Sequence, residues 1–222
     1  MAQEFTEAEI KQLALQAILE NPDIVMEAVA ILQARDEEAA AEQARDTLSE
    51  RRSQLERDPN APVLGNPDGD VTVVEFFDYN CPYCRRAGEQ VSAMLAADDN
   101  VRVVYREWPI LGEGSTFAAR AALASRAQDK YAEFHEALMG ARGRVDETSV
   151  MQIAAGLGID VTQLRRDMDD PSVQDHIDTT MALAQSLGFS GTPSFVIGEA
   201  LAPGLVDAEQ LLAMIEDARN GG

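Results

Sequence analysis

The spacing of apolar positions changes along the chain, and each change predicts a different element. Over residues 6 to 20, Ile10, Leu13, Ala14, Ala17 and Ile18 recur at helical spacing, which predicts a short amphipathic helix. Asn21-Pro22-Asp23 predicts a restart, with Asn at the cap, Pro at the first helical position and Asp in the first turn. From Asp23 to Arg57 no Gly or Pro interrupts a run dominated by Ala, Glu, Gln and Arg, so one helix of roughly 50 Å is expected at 1.5 Å per residue. Its first part carries an apolar stripe, Ile24, Val25, Ala28, Val29 and Leu32. Its second part keeps only Ala34, Ala41, Leu48 and Leu55, spaced by sevens. Such a helix is either a solvated spacer or an oligomerisation stalk or docking arm. The 24–32 stripe favours the stalk, because a free arm would leave that surface wet.

Asp58-Pro59-Asn60-Ala61-Pro62 cannot continue a helix, so the expected organisation is an N-terminal helical extension over 1–58 and a second domain over 59–222. There the period drops to that of strands. Val63-Leu64-Gly65 predicts a short strand and Asn66-Pro67-Asp68-Gly69-Asp70 a turn. Val71 to Phe77 and Val101 to Glu107 are β-branched and aromatic runs flanking a helical pattern over Pro82 to Ala97, which makes a βαβ unit with parallel strands. Residues 115 to 187 are helical in pattern, with breaks near Gly140 to Arg144, Gly156 to Asp160 and Asp170-Pro171. Ser194 to Ile197 then predicts a strand, Glu199 to Leu201 a pairing partner, and Asp207 to Arg219 a closing helix. The fold class is therefore α/β, with helices at about 108–187 inserted between two halves of one small sheet.

Composition narrows the function. The 222 residues are 45% hydrophobic and 26% charged, with no apolar run long enough to cross a bilayer, so a water-soluble protein is expected. Lys and Arg number 18 against 39 Asp and Glu, a formal net charge of −21. Such a surface repels phosphate backbones, and no nucleic-acid partner is expected. Met1 to Phe5 lacks the basic and apolar regions of an export signal, as would a chain from which a signal had been removed.

The two cysteines stand two residues apart, as Cys81-Pro82-Tyr83-Cys84, between a predicted strand and a predicted helix. At a helix start the Cys81 sulfur lies near unpaired amides and the positive end of the dipole, where a thiolate is favoured. Pro82 costs no hydrogen bond at the first helical position, and Cys84, one turn in, can attack a mixed disulfide on Cys81. In such pairs the first thiol falls from about 8.5 to between roughly 3.5 and 7.5. The rival readings are a structural disulfide and half of a zinc site. Zinc needs two further ligands from Cys or His, or less commonly from carboxylates; there are no other cysteines, and His135 and His176, each in a helical stretch, are read as ordinary surface or core histidines. No metal or cofactor is expected.

Gly191-Thr192-Pro193-Ser194-Phe195-Val196-Ile197-Gly198 places a Thr-Pro bond at the start of a strand. Combined with the C-x-x-C after a first strand, this resembles the thioredoxin superfamily. Within it, Glu75-Phe76-Phe77-Asp78-Tyr79-Asn80-Cys81-Pro82-Tyr83-Cys84 is similar to the DsbA-like group, which also carries a helical insertion between the cysteines and the proline. Glutaredoxins share the tetrapeptide but are too small for that insertion. The resemblance covers about residues 60 to 222. The helical extension is more loosely similar to that of oligomeric members such as ScsC-type copper-tolerance proteins, which act as isomerases.

The resemblance implies a thioredoxin-like fold and a protein thiol-disulfide oxidoreductase. It implies that Pro193 is cis, that Thr192 and Pro193 contact substrate beside Cys81, with Pro82 and Tyr83 alongside, and that Glu75 is a buried acid near Cys84 able to shuttle a proton. It further implies cysteine-containing substrate proteins, a membrane redox partner for recycling, possible homo-oligomers through the N-terminal helices, and a periplasmic location. Oxidase and isomerase both remain open. Tyr83 departs from the Pro-His dipeptide of the strongest oxidants, and glutaredoxin-like potentials lie about 90 mV lower, or roughly 4 kcal/mol. The alternative functions are a thioredoxin-fold peptide-binding chaperone and a dithiol metal (copper) handling protein.

Overall fold

The computed structural model describes residues 5–221; most of the N-terminal stretch read for an export signal, residues 1–4, lies outside them. The chain divides after Ala44 into two compact units. The first holds helix α1, Glu7–Glu20, and the start of α2, Asp23–Glu56. Thr6 and Glu9 form a reciprocal capping box at the α1 start. Asn21 closes α1, and α2 begins at Asp23.

The second unit, from Arg45, contains a five-stranded sheet in the order β1-β3-β2-β4-β5. These strands are β1 Val63–Gly65, β2 Val71–Phe77, β3 Val101–Glu107, β4 Ser194–Ile197 and β5 Ala200–Pro203. Strands β2 and β3 are parallel and the other neighbours antiparallel. The β4–β5 hairpin starts one residue later than the pattern suggested. Ile197 pairs with Ala200, leaving Gly198 and Glu199 as a two-residue turn in which Gly198 takes φ 57°.

Helix α3, Pro82–Ala97, crosses between β2 and β3, burying Cys84, Ala87, Val91 and Met94 on one stripe. Between β3 and β4 lie α4 Glu113–Ala124, a 3₁₀ turn Ser125–Gln128, α5 Tyr131–Met139, α6 Glu147–Gly156, α7 Val161–Asp167 and α8 Pro171–Ser186; α9, Ala208–Gly221, closes the chain. All seven residues of β2 and of β3 are buried, because both sheet faces are covered. One core gathers Val73, Phe77, Val103, Tyr105 and Phe195 with α3, α4, α5 and α9. The other gathers Val74, Phe76, Val104 and Val196 with Trp108, Leu183, Leu187, Leu48 and Leu55.

Leu48 and Leu55 depart from the expectation of a thin stripe on an arm. Both are 1% exposed and belong to the core of the second unit, whereas Ala34 and Ala41 are exposed. The break at Asp58-Pro62 does end α2, but the unit carrying the sheet begins at Arg45, a helical turn or more before it. Buried Arg106 on β3 secures this end, donating to the carbonyls of Gln54 and Leu55 and pairing with Asp58 at 2.7 Å. Arg102 reaches the Glu56 carbonyl and Arg126 the carbonyls of Pro59 and Asn60, so orphan acceptors at the helix end are satisfied.

Candidate active site

Cys81 is the N-cap of α3, with extended backbone at φ −82° and ψ 117° and Pro82 in the first turn. Its amide donates to the Asp78 carbonyl at 3.0 Å, and its thiol donates to the Thr192 carbonyl at 3.2 Å. The Thr192–Pro193 peptide is cis. The structure thus brings together Cys81, Cys84, Thr192 and Pro193, from segments 111 residues apart. Cys81 is 5% exposed and Cys84 fully buried, both as free thiols, while Pro82 is exposed and Tyr83 is 56% exposed.

The cysteines differ sharply in acidity. The Cys81 thiol is held at about 5, first because the Cys84 thiol donates to its thiolate, then by the Thr192 side chain and the amides of Cys84 and Tyr83, against the cost of burial. On ionisation Cys81 therefore exchanges an acceptor, the Thr192 carbonyl, for a set of donors. Cys84 is pushed far up by burial and by donating a hydrogen bond to the Cys81 thiolate. Glu75, fully buried in β2, is raised to about 8 by burial and by the Cys81 charge, and neither of its oxygens has a hydrogen-bond partner. Its charge in turn opposes ionisation of Cys84. A low-pKa sulfur, a protonated sulfur beside it and a near-neutral acid within electrostatic reach can together exchange disulfides and move one proton.

A model of the DSBA-like thioredoxin domain family matches residues 72–216, which spans both cysteines and Pro193. The chain belongs to this family. DsbA-like chemistry is thiol-disulfide exchange. Among solved structures, a thioredoxin-like oxidoreductase from Silicibacter pomeroyi DSS-3 is 62% identical, covering 77% of this chain and 99% of its own, with a TM-score of 0.76. A linker-deletion variant of ScsC from Proteus mirabilis is 25% identical and covers 100% of both chains, also with a TM-score of 0.76. The Na(+)/H(+) antiporter NhaA of Herminiimonas arsenicoxydans is 29% identical over 160 residues, 72% of this chain but 26% of that protein. The chain thus spans about a quarter of the length of that relative.

The DsbA-like site rests on a second buried cluster that sequence reasoning missed. Tyr79, two residues before Cys81, donates to Glu107 at 3.0 Å, and Tyr131 donates to the same oxygen at 2.9 Å. His135 Nδ1 lies 3.1 Å from the Tyr79 hydroxyl; since that hydroxyl's proton goes to Glu107, the ring nitrogen is the donor. Burial pushes Glu107 well above the usual carboxylate range, against the two tyrosine hydroxyls that lower it, and pushes His135 down to about 3, so the imidazole is neutral. Asp78 accepts from the Asn80 amide, Ser115 and the Leu111 amide, and Asn80 makes a two-way bridge to the Val145 backbone. Arg85 binds the carbonyls of Tyr79 and Ala141. The loop before Cys81 is therefore fixed by the helical insertion. One signal was available: Glu107 ends an apolar strand as Glu75 interrupts one, and a charge there needs partners. His176 is also buried, accepting the Glu107 amide at 3.2 Å. Among the described residues no group of three or more potential ligands is placed to hold a metal ion.

Proposed function

We propose that the protein exchanges disulfides with cysteine-containing substrate proteins, with Cys81 as the attacking thiolate, Cys84 as the resolving thiol, Glu75 as the acceptor of the Cys84 proton, and Pro82, Tyr83, Thr192 and Pro193 as the surface that meets the substrate chain. The observation that carries this reading is the Cys81 sulfur, ionised at neutral pH on a helix N-terminus and 3.2 Å from the Thr192 carbonyl of the cis peptide. A substrate strand beside Pro193 would lie within reach of that sulfur.

The direction proposed is reshuffling rather than donation. A Cys81 thiol near 5 lies between the roughly 3.5 of a strong oxidant and the roughly 7 of a reductant. Among the described residues, twelve of the sixteen exposed large hydrophobic side chains fall between Phe5 and Leu32. A surface so apolar fits other copies of itself, and several dithiols facing one substrate raise the effective concentration for a second exchange. The N-terminal helices are accordingly proposed as the assembly element, and the sheet-bearing unit as the catalytic one. An extracytoplasmic location and recycling by a membrane redox partner go with this reading, since disulfides persist in oxidising compartments. In a scrambled-disulfide refolding assay the full chain should restore activity to a misoxidised substrate, and Cys81→Ala should fall to the uncatalysed rate. Equal rescue by Cys81→Ala would refute the assignment.

A further inference from the structure

The reading above asks Glu75 to take a proton from Cys84 and release it, yet both of its oxygens are buried without partners. That proton needs a way to solvent that stays open while a substrate chain covers Cys81 and Pro193. The sheet register supplies a neighbour. In the parallel β2–β3 pair Glu75 lies opposite Tyr105, so both side chains leave the same sheet face, and Tyr105 packs in the core that α3 covers. Tyr79 and Tyr131 commit their hydroxyls to Glu107, whereas Tyr105 makes no side-chain hydrogen bond among the described residues. Its ring is held by His135 at 4.4 Å and Phe77 at 5.4 Å between centroids. Tyr105 also lines a groove of about 560 Å³ between α3 and α5, walled by Gly88 and Leu95 on one side and Ala132 and Met139 on the other. Space of that size admits many waters, at about 30 Å³ each.

We propose that Tyr105 is the proton relay between Glu75 and the α3–α5 groove, so that the proton released during resolution leaves through the groove rather than past Cys81. This rests on Glu75 being the acceptor. In the resolving step the Cys84 sulfur attacks the Cys81 sulfur, the Cys81–Cys84 bond forms, and the bond from Cys81 to substrate breaks. The substrate sulfur leaves with the electron pair, and the Cys84 proton passes to Glu75. Glu75 and the Tyr105 hydroxyl share no hydrogen bond at rest, so the hand-over runs through one water admitted between them: Glu75 gives a proton to that water, the water gives one to the Tyr105 oxygen, and the hydroxyl's own proton passes to water in the groove, so the tyrosine ends as it began. Burial and the Glu75 charge keep the phenol protonated, as a relay requires. The titratable and charged groups around it are Glu75 and Glu107 on the strands, Tyr79 on the loop before Cys81, Arg85 and Glu89 on α3, and Tyr131, Glu133, His135 and Glu136 on α5.

The test is the rate at which a mixed disulfide between Cys81 and glutathione resolves, followed by rapid acid quench and mass measurement at pH values on both sides of 8. In the parent the rate should rise through an inflection at the ionisation of Glu75, which burial keeps raised but which falls below about 8 in the mixed disulfide, where the Cys81 charge is absent. Glu75→Gln should lose the inflection and resolve slowly. Tyr105→Phe keeps the ring contacts and should slow resolution about tenfold or more, leave the Cys81 titration unchanged, and add no further loss on the Glu75→Gln background. Gly88→Met offers a second variant, one turn of α3 after Cys84 and lining the groove, where a Cβ meets nothing within 4 Å; its side chain should fill the groove and slow resolution likewise, with the Cys81 titration unchanged. Parental rates in Glu75→Gln would remove the acceptor assignment itself. A slow Glu75→Gln with parental rates in both Tyr105→Phe and Gly88→Met, or a Tyr105→Phe loss that persists in full on Glu75→Gln, would overturn the relay.

Discussion

Cys81 owes its acidity to donors supplied by its own fold, the largest being the thiol of its partner. Absorbance of the thiolate should therefore titrate with a midpoint near 5, and Cys84→Ala should move that midpoint upward, because the amides and Thr192 remain but the strongest donor is gone. A linked effect on stability follows with a definite sign. The folded-state pKa is depressed below the unfolded value, so the thiolate stabilises the reduced fold fully above the unfolded pKa, and this contribution fades as pH falls through about 5. The melting temperature of the reduced protein relative to the oxidised one should accordingly fall as pH is lowered from neutral toward 5. An unchanged midpoint in Cys84→Ala would mean that the helix terminus alone sets the acidity. At this scale the Cys81–Cys84 pair was legible from residue type and spacing, whereas the cis bond at Pro193 and the burial of Glu75 were implied by the family resemblance. The cluster of Tyr79, Glu107, Tyr131 and His135 was not legible, because its hydrogen-bonded pairs are separated by 24 to 56 positions and meet only when the insertion folds over the loop.

Among the elements, β2, α3 and β3 were legible to the residue, since runs of β-branched side chains end abruptly at turn residues and Pro82 marks a helix start. The long helix was legible in extent but not in division. Isolated leucines spaced by sevens look the same whether they meet another helix of a coiled coil or a sheet, and here Leu48 and Leu55 meet the sheet. Removing either should therefore destabilise the catalytic unit. Leu55→Ala is expected to cost about 2–5 kcal/mol in chemical denaturation, the range for a buried leucine. Leu32→Ala, at a side chain 57% exposed, should leave the same transition within about 0.5 kcal/mol. Equal costs at both positions would contradict the division of α2 at Ala44.

For the whole molecule, the net charge of −21 opposes close association of copies through self-repulsion, while the apolar surface of residues 5–32 favours it. At physiological salt the charges are screened beyond roughly 8 Å and the apolar term should win. Sedimentation should then give a multiple of the chain mass, and Leu15→Glu, within that surface, should return it to a single chain. A parent that sediments as one chain would leave the exchange chemistry intact but remove the argument for reshuffling.

The account as a whole depends on which sulfur meets the substrate. Cys84→Ala incubated at neutral pH with a disulfide-bearing substrate protein, alkylated and digested, should yield a mixed disulfide joined to the peptide containing Cys81, because the helix-start amides and Thr192 still favour its thiolate after the Cys84 donor is removed. No adduct at Cys81, or the same yield of adduct from a Cys81→Ala chain through Cys84, would contradict it.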